Sequence, residues 1–199
     1  MPDTAKFLAP YAFVLFLFAF ALPASAQENS SETAPDTDDG TFNEGEILDA
    51  AGNFFGEVSE GLAQVIEKAF ADQGRPTAYI AGTEGGGAIA VGLRYGSGNL
   101  YHKLEGQSKI YWRGPSIGFD AGGDLSKMFI LVYNLHDVLD MYKRFPSGEG
   151  AFYFVGGVGM SYKQRRAIIL APIRTGVGLR AGVNAGWVKF SHKKSIIPF

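Results

Sequence analysis

Apolar side chains recur every three or four residues between Thr41 and Gly74, which is the spacing of an amphipathic α-helix. The positions on this apolar face are Ile47, Ala51, Phe54, Val58, Leu62, Val65 and Ala69. We interpret Thr41 and Glu44 as a capping box at its start, and Gly74 as its stop signal. Interior glycines cost a helix up to about 1 kcal/mol each, so the pattern predicts a break between Gly56 and Gly61.

The period changes to two from Thr77 onward, which is typical of β-strands. The predicted strands are AYIAG, GAIAVGLRYG, KIYWR, MFILVY, AFYFVGGVGM, AIILAPI and GVGLRAGVNAGWVKF. One short helix, His136–Phe145, interrupts them. The expected fold is α+β and mainly β: a small antiparallel β-barrel or strongly curved sheet of about eight strands, preceded by the amphipathic helix.

Glycine fills one face of several predicted strands. Bulky side chains occupy the odd positions of Gly87–Gly96 and small ones the even positions, except at Arg94; the last strand repeats this alternation. A face without side chains usually marks sharp bending or the close approach of another element. We therefore expect barrel curvature, with the helix or a ligand lying against the bare face.

The first 26 residues have the layout of a secretory signal peptide. Lys6 precedes an apolar run, Phe7–Leu22, and an A-x-A site follows at Ala24–Ala26. The alternative is an uncleaved membrane anchor. That run is only 16 residues long and contains Pro10, whereas a spanning helix needs about 20 residues. The pattern predicts export to the periplasm and cleavage of the leader.

Charge divides the remaining chain into an acidic leader and a basic body. Residues 28–49 carry eight acidic side chains and no basic one, whereas residues 75–199 carry 16 Lys and Arg against 7 Asp and Glu. We predict a signal peptide over 1–26, an acidic disordered tether over 27–42, a helical segment over 43–74 and a β-barrel domain over 75–199. The chain has no cysteine, so its stability depends on the hydrophobic core.

Two short motifs invite a catalytic interpretation that their context does not favour. GPSIG matches the G-x-S-x-G pattern around Ser116, but no helical period follows it and no α/β repeat surrounds it, so we interpret it as a strand-ending turn. Gly82–Gly87 lacks the Lys-Ser/Thr ending of a phosphate loop and is interpreted as a hairpin turn. The three histidines are far apart in sequence, which disfavours a metal site. We expect no enzyme activity, no catalytic residue, no metal and no cofactor.

Basic side chains are the remaining candidates for chemistry. Arg94, Arg174 and Arg180 lie beside glycines at even-numbered positions, which makes them candidates for a shared cationic patch that binds an anionic head group. The interpretation that we favour is that these arginines pair internally with Glu84, Asp120 or Asp124, or are solvated. Candidate anion-binding residues on other segments are Arg113 and the predicted hairpin tip with Lys163, Arg165 and Arg166.

The stretches AYIAGTEGGGAIAVGLRYGSGNL, KIYWRGPSIGFDAGG and APIRTGVGLRAGVNAGW resemble a family of secreted alphaproteobacterial proteins typified by envelope integrity protein A. The resemblance covers about Glu44 to Phe199. It implies a soluble periplasmic protein with a small β-barrel, no enzymatic activity and a role in envelope integrity. The run from Gly82 through Trp112 to Gly178 is also similar to the SYLF lipid-binding domain.

Four functions compete at this point. A basic barrel in the periplasm favours binding of an anionic lipid, lipopolysaccharide or glycan, and disfavours nucleic acid as a partner. A scaffold that docks another envelope protein through the helix or tether is the second. A small outer-membrane barrel is the third, although Pro198 and the polar residues before Phe199 interrupt the last segment. An enzyme of unrecognised type is the fourth. The oligomeric state stays open.

Overall fold

Two helices open the part of the chain that the computed structural model describes, residues 39–120, 125–147, 152–175 and 186–195. Helix α1 spans Glu44–Phe55 and helix α2 spans Glu60–Gln73. Gly56 ends α1 with φ +104°, in the left-handed region, so the predicted break is confirmed. Gly74 ends α2 with φ +75°, which confirms the predicted stop.

The predicted capping box is wrong by two residues. Asn43, not Thr41, accepts a hydrogen bond from the backbone of Glu46 at 2.9 Å, and the Glu46 carboxylate accepts one from the Asn43 N–H at 2.8 Å. The Thr41 hydroxyl bonds instead to Asp39. Phe42 donates to the Pro76 carbonyl at 2.8 Å, which ties the chain before α1 to the start of the sheet.

The described strands form one antiparallel sheet. They are β1 Ala78–His102, β2 Gly106–Asp120, β3 Ser126–Tyr133, β4 Arg144–Ser147, β5 Phe152–Val155, β6 Val158–Ser161, β7 Lys163–Arg165, β8 Ile168–Thr175 and β9 Gly186–Ser191. Their order is β4-β9-β2-β1-β3-β8-β6-β5, with β7 paired to β8. The sheet curls into a half-barrel, which confirms the predicted fold class.

Four local predictions are wrong. AFYFVGGVGM, predicted as one strand, is the hairpin of β5 and β6, because Gly156 and Gly157 form a turn with positive φ. Gly82–Gly87 is no turn but part of β1, a single strand of 25 residues. GPSIG is no turn either, because Ser116 lies inside β2 and pairs with Gly92. The helix predicted over His136–Phe145 is a 3-10 turn, Val138–Met141, followed by β4. An isolated short helix gains little stability, and β4 places Phe145 in the core opposite Val188.

The sheet has two apolar faces. In β3, in β8 and at Tyr79 and Ala81 of β1, the odd-numbered side chains pack under α1 and α2, as Phe129 and Leu131 do. The even-numbered side chains point into the curl of the sheet, as Ile80, Ile130 and Leu170 do. We call these the helix face and the inner face. Both are covered by fully buried aliphatic and aromatic side chains, so each stabilises the fold by removing apolar area from water.

The bare glycine face of β1 is the inner face, so the helix, one of the two occupants that we expected, does not cover it. A Cβ at Gly96 would overlap the Trp112 indole, and one at Gly82 would lie 2.8 Å from the same ring. Gly98 lies against the backbone of Ala81 where β1 bends on itself. The glycines therefore permit the curl and make room for one tryptophan. The glycines of residues 176–185 lie outside the described residues.

Candidate functional site

A small pocket with polar and apolar walls lies on the inner face. Its polar wall consists of Glu84, Arg94, Trp112, Lys163 and Arg174. Its apolar wall consists of Met128, Ile130, Leu170, Pro172, Val188 and Phe190. The free volume is about 10 Å³, which is roughly the room for one water molecule.

Strand register explains why these side chains meet. Glu84 and Arg94 come from β1, Trp112 from β2 and Arg174 from β8, all at even-numbered, inward-pointing positions. Lys163 comes from β7, where it lies opposite the inward-pointing Leu170. Directly opposed residues of an antiparallel pair share a face, so Lys163 points inward as well.

Glu84 accepts hydrogen bonds from two other residues of the pocket. One carboxylate oxygen accepts a hydrogen bond from Arg174 Nη2 at 2.8 Å, and the other accepts one from Trp112 Nε1 at 2.8 Å. The Arg174 side chain is 27% exposed, against 12% for Glu84. The ion pair is thus reached from solvent on the Arg174 side. Arg174 therefore pairs internally with Glu84, one of the partners that the sequence suggested.

Burial lowers the pKa values of two cationic side chains of the pocket. Arg94 is 5% exposed and Lys163 is 7% exposed. Burial, with a smaller effect from the nearby charges of Arg94 and Arg174, lowers the pKa of Lys163 to about 8, against the opposing effect of Glu84. Burial also lowers the pKa of Arg94, although a guanidinium stays protonated at neutral pH. Among the described lining residues, three cationic groups face one carboxylate.

The other predicted site residues lie elsewhere. Arg113 is buried, but its odd position in β2 places it on the opposite face from the pocket, and within the described part of the chain its Nε has no hydrogen-bond partner. Arg165 ends β7 and Arg166 occupies the β7–β8 turn with φ 54°, so these two form the predicted hairpin tip. Lys163 does not belong to that tip, because it points inward. Arg180 lies outside the described residues.

His102 has a structural role. Its Nε2 lies 2.8 Å from the Leu135 carbonyl, and its Nδ1 accepts hydrogen bonds from the Leu104 and Glu105 N–H groups. The ring thus holds the β1–β2 turn against the chain that follows β3. Within the described ranges, the structure has no cluster of three or more potential metal-binding side chains.

Sequence reasoning missed the central role of Glu84 and Trp112. Glu84 was considered only as an internal partner, and Trp112 only as part of a resemblance. The sequence did contain a signal for their position. Glu84 and Trp112 have even numbers, like Arg94, and β1 and β2 pair directly. The bare position at Gly96 was a second signal, since a glycine opposite a tryptophan on the same face makes room for its ring.

The fold and the pocket define the class of protein: a β-barrel-like sheet, covered by two helices on one face and holding a buried cationic cluster on the other. The chain belongs to the envelope integrity protein A family, whose model matches residues 40–199. The predicted family membership is therefore confirmed. Neither described helix is long and apolar enough to span a membrane.

One solved structure extends the comparison. The chain is similar to a β-barrel-like, uncharacterized protein from Brucella abortus, with 44% identity and a TM-score of 0.73. The match covers 80% of this chain and 99% of that one. Among proteins with curated descriptions, none matches the chain.

Proposed function

We propose that this protein supports the integrity of the cell envelope from the periplasm, without enzymatic activity, by holding an anionic envelope component at the cationic pocket. The family supports the envelope role. The predicted signal peptide supports the periplasmic location. The pocket supports the binding mode, since it is the place where the described residues concentrate buried positive charge.

The partly exposed Arg174 is the observation that carries this proposal. Its guanidinium bonds to Glu84 at 2.8 Å and is 27% exposed, so an anion in solvent can reach it. A phosphate or carboxylate group on a ligand would accept hydrogen bonds from the exposed part of this guanidinium. These hydrogen bonds would be charge-assisted.

The size of the pocket limits what enters it. A free volume of about 10 Å³ admits no sugar ring or acyl chain. A single anionic group would displace the water-sized volume and compete with Glu84 for Arg174. The remainder of the ligand would stay outside, on the side where Arg174 reaches solvent.

Binding to anionic vesicles, lipopolysaccharide and peptidoglycan fragments, measured at rising salt, tests this function. We expect the mature protein to bind at least one of them, with an affinity that falls with salt. Lys163→Met and Arg174→Gln should each weaken binding about tenfold, whereas Lys109→Gln, which removes an exposed cation on β2, should have little effect. Equal binding by all variants would refute the pocket as the site; failure of every probe to bind would favour a scaffold role.

A further inference from the structure

We infer that the sheet carries a second anion-binding site, on the face opposite the pocket. Arg113, Lys189 and Arg144 form this site, and its ligand is a linear anion with at least two phosphate or carboxylate groups. We call these three residues the outer row. The inference goes beyond the proposed function, because the outer row shares no residue with the described lining of the cationic pocket.

Strand register places the three cations side by side. Arg113 of β2 lies opposite Lys189 of β9, and Lys189 lies opposite Arg144 of β4. Directly opposed residues of antiparallel strands share a face and have Cβ atoms about 5 Å apart. The outer row therefore extends over about 10 Å across the strands. The neighbouring residues Trp112 and Phe190 line the pocket, so the outer row faces the other way.

Within the described ranges, the outer row has no acidic partner. None of its three cations forms a salt bridge there. No aspartate or glutamate lies on this face of the described parts of β2, β4 and β9. Like charges at directly opposed positions destabilise a sheet. An anion placed across the outer row would turn this repulsion into attraction.

The burial of Arg113 is the observation that points to a ligand. Arg113 is 7% exposed, and its Nε has no hydrogen-bond partner in the described part of the chain. Leaving a buried polar group without a partner costs free energy, and the cost is larger for a charged group. An oxyanion between Arg113 and Lys189 would accept charge-assisted hydrogen bonds from the guanidinium and offset part of this cost.

Trp187 holds the third cation of the outer row in position. The Arg144 guanidinium lies over the Trp187 indole, 4.3 Å from the ring centroid. An exposed arginine loses rotamer freedom when it binds a ligand, and this cation–π contact restricts Arg144 before binding. At the other end of the row, burial restricts Arg113. Both ends are thus ordered in the ligand-free protein.

The length of the outer row favours a ligand with several charged groups. One phosphate or carboxylate can bridge two neighbouring cations, but Arg113 and Arg144 are two strand spacings apart, about 10 Å. Guanidinium groups bind phosphate and carboxylate alike through paired hydrogen bonds. A chain of such groups would meet all three cations, so binding should strengthen with the number of groups.

Two series of anions test the inference. Titration calorimetry on the full mature chain would compare inorganic phosphate with tripolyphosphate, and galacturonate with trigalacturonate. We expect weak binding of the single-group probes and a Kd roughly tenfold lower or better for at least one three-group probe. Tighter binding of tripolyphosphate would identify phosphate as the preferred group, and tighter binding of trigalacturonate would identify carboxylate.

Lys189→Gln and Arg144→Gln each remove one charge from the outer row. We expect each variant to raise the Kd of the tighter three-group probe about tenfold. Lys109→Gln is the matched control, because Lys109 lies on the same face of β2 but outside the row. It should change the Kd by less than about twofold.

Arg113→Met should affect stability and binding in opposite directions. Removing a buried charge without a partner should raise the urea midpoint of the ligand-free protein, whereas the Kd of the three-group probe should rise about tenfold. Replacing an arginine with a purely structural role would lower the urea midpoint instead.

The outcomes separate this site from the pocket. Weaker binding in the three row variants, with Arg174→Gln and Lys109→Gln unchanged, would support the outer row whatever the result at the pocket. Weaker binding in Arg174→Gln alone would assign the probe to the pocket and overturn the inference. An equal loss in Lys109→Gln would indicate general attraction to a basic surface and overturn it as well, as would failure of both three-group probes to bind.

Discussion

At the scale of single residues, the buried charge of Lys163 lowers the stability of the folded protein. The folded state lowers the pKa of its amine from 10.5 to about 8 because burial and two neighbouring guanidinium groups disfavour the charged form. Below pH 8 both the folded and the unfolded chain hold the proton, and the folded state bears the full cost. Between pH 8 and 10.5 the unfolded chain binds more protons, so this residue makes the free energy of unfolding rise with pH.

Lys163→Met should therefore stabilise the protein. We expect the free energy of unfolding at pH 7 to rise by about 1–3 kcal/mol, since a shift of one pKa unit corresponds to about 1.4 kcal/mol. The rise in the free energy of unfolding that Lys163 causes between pH 8 and 10 should be absent from this variant. Urea denaturation at pH 7, 8, 9 and 10 measures both effects, with Lys109→Met as the exposed control. A less stable variant at pH 7 would mean that the amine is a net stabilising group.

Gly96 is the second residue on which the pocket depends. A methyl group there would overlap the Trp112 indole, which in turn holds Glu84. Gly96→Ala should lower the free energy of unfolding by about 1–3 kcal/mol and change the environment of Trp112.

Urea denaturation followed by tryptophan fluorescence measures the effect of Gly96→Ala. Gly45→Ala, in the first turn of α1, is the matched control because its new Cβ would lie no closer than 3.4 Å to any other group. Alanine favours helix over glycine, so this control should be neutral or stabilising. A neutral Gly96→Ala variant would contradict the close packing described here.

At the scale of elements, Lys127 of β3 stabilises the end of α1. The last turn of α1 contains no basic residue, but the Lys127 amine donates to the carbonyls of Phe54 at 2.9 Å and Phe55 at 3.2 Å. A cation at this position satisfies exposed carbonyls and opposes the negative end of the helix dipole. The sheet thus supplies the C-terminal cap that the helix lacks.

Lys127→Met should cost about 1 kcal/mol of stability and increase hydrogen exchange in the last turn of α1. Lys68→Met is the control, because Lys68 forms an exposed ion pair with Asp72 within α2 and should contribute less than about 0.5 kcal/mol. Hydrogen exchange with residue resolution distinguishes the two. Equal protection of the α1 end in wild type and Lys127→Met would show that the contact does not hold the helix.

The elements also show what the sequence could and could not predict. The two-residue period of the strands and the glycines between the helices are local signals, and they led to most of the described elements. The exception among the predicted strands is AFYFVGGVGM, where the period continues across the turn between β5 and β6. Glycine-rich stretches were misleading because glycine serves turns and curved strands equally, and only the partner strand decides between them. Gly82–Gly87 belongs to a strand because β3 pairs with its start and β2 with the residues that follow.

The pairing of even-numbered or odd-numbered positions between strands explains why the sequence placed Arg94 and Arg174 correctly and Lys163 wrongly. Strands β1, β2, β3 and β8 pair even with even positions, so numbering alone placed Arg94 and Arg174 on one face. The β7–β8 hairpin pairs odd with even, as Lys163 with Leu170. The direction of Lys163 therefore depends on the length of one turn, which the sequence left undetermined.

At the scale of the whole molecule, both faces of the curled sheet carry an apolar core, and one of them also holds the pocket. The helix face is closed by α1 and α2. The inner face packs an apolar cluster of its own and holds the cationic pocket. Both faces therefore stabilise the fold, and the binding role that we propose uses the inner face.

Native mass spectrometry of the mature protein, purified from a periplasmic extract, tests the central claim most directly. The account predicts a co-purifying anionic molecule on the wild-type protein and on Lys109→Gln, and its loss from Lys163→Met and Arg174→Gln. An apo mass for the wild-type protein, or the same bound mass on all four proteins, would contradict the claim that the cationic pocket holds an envelope component.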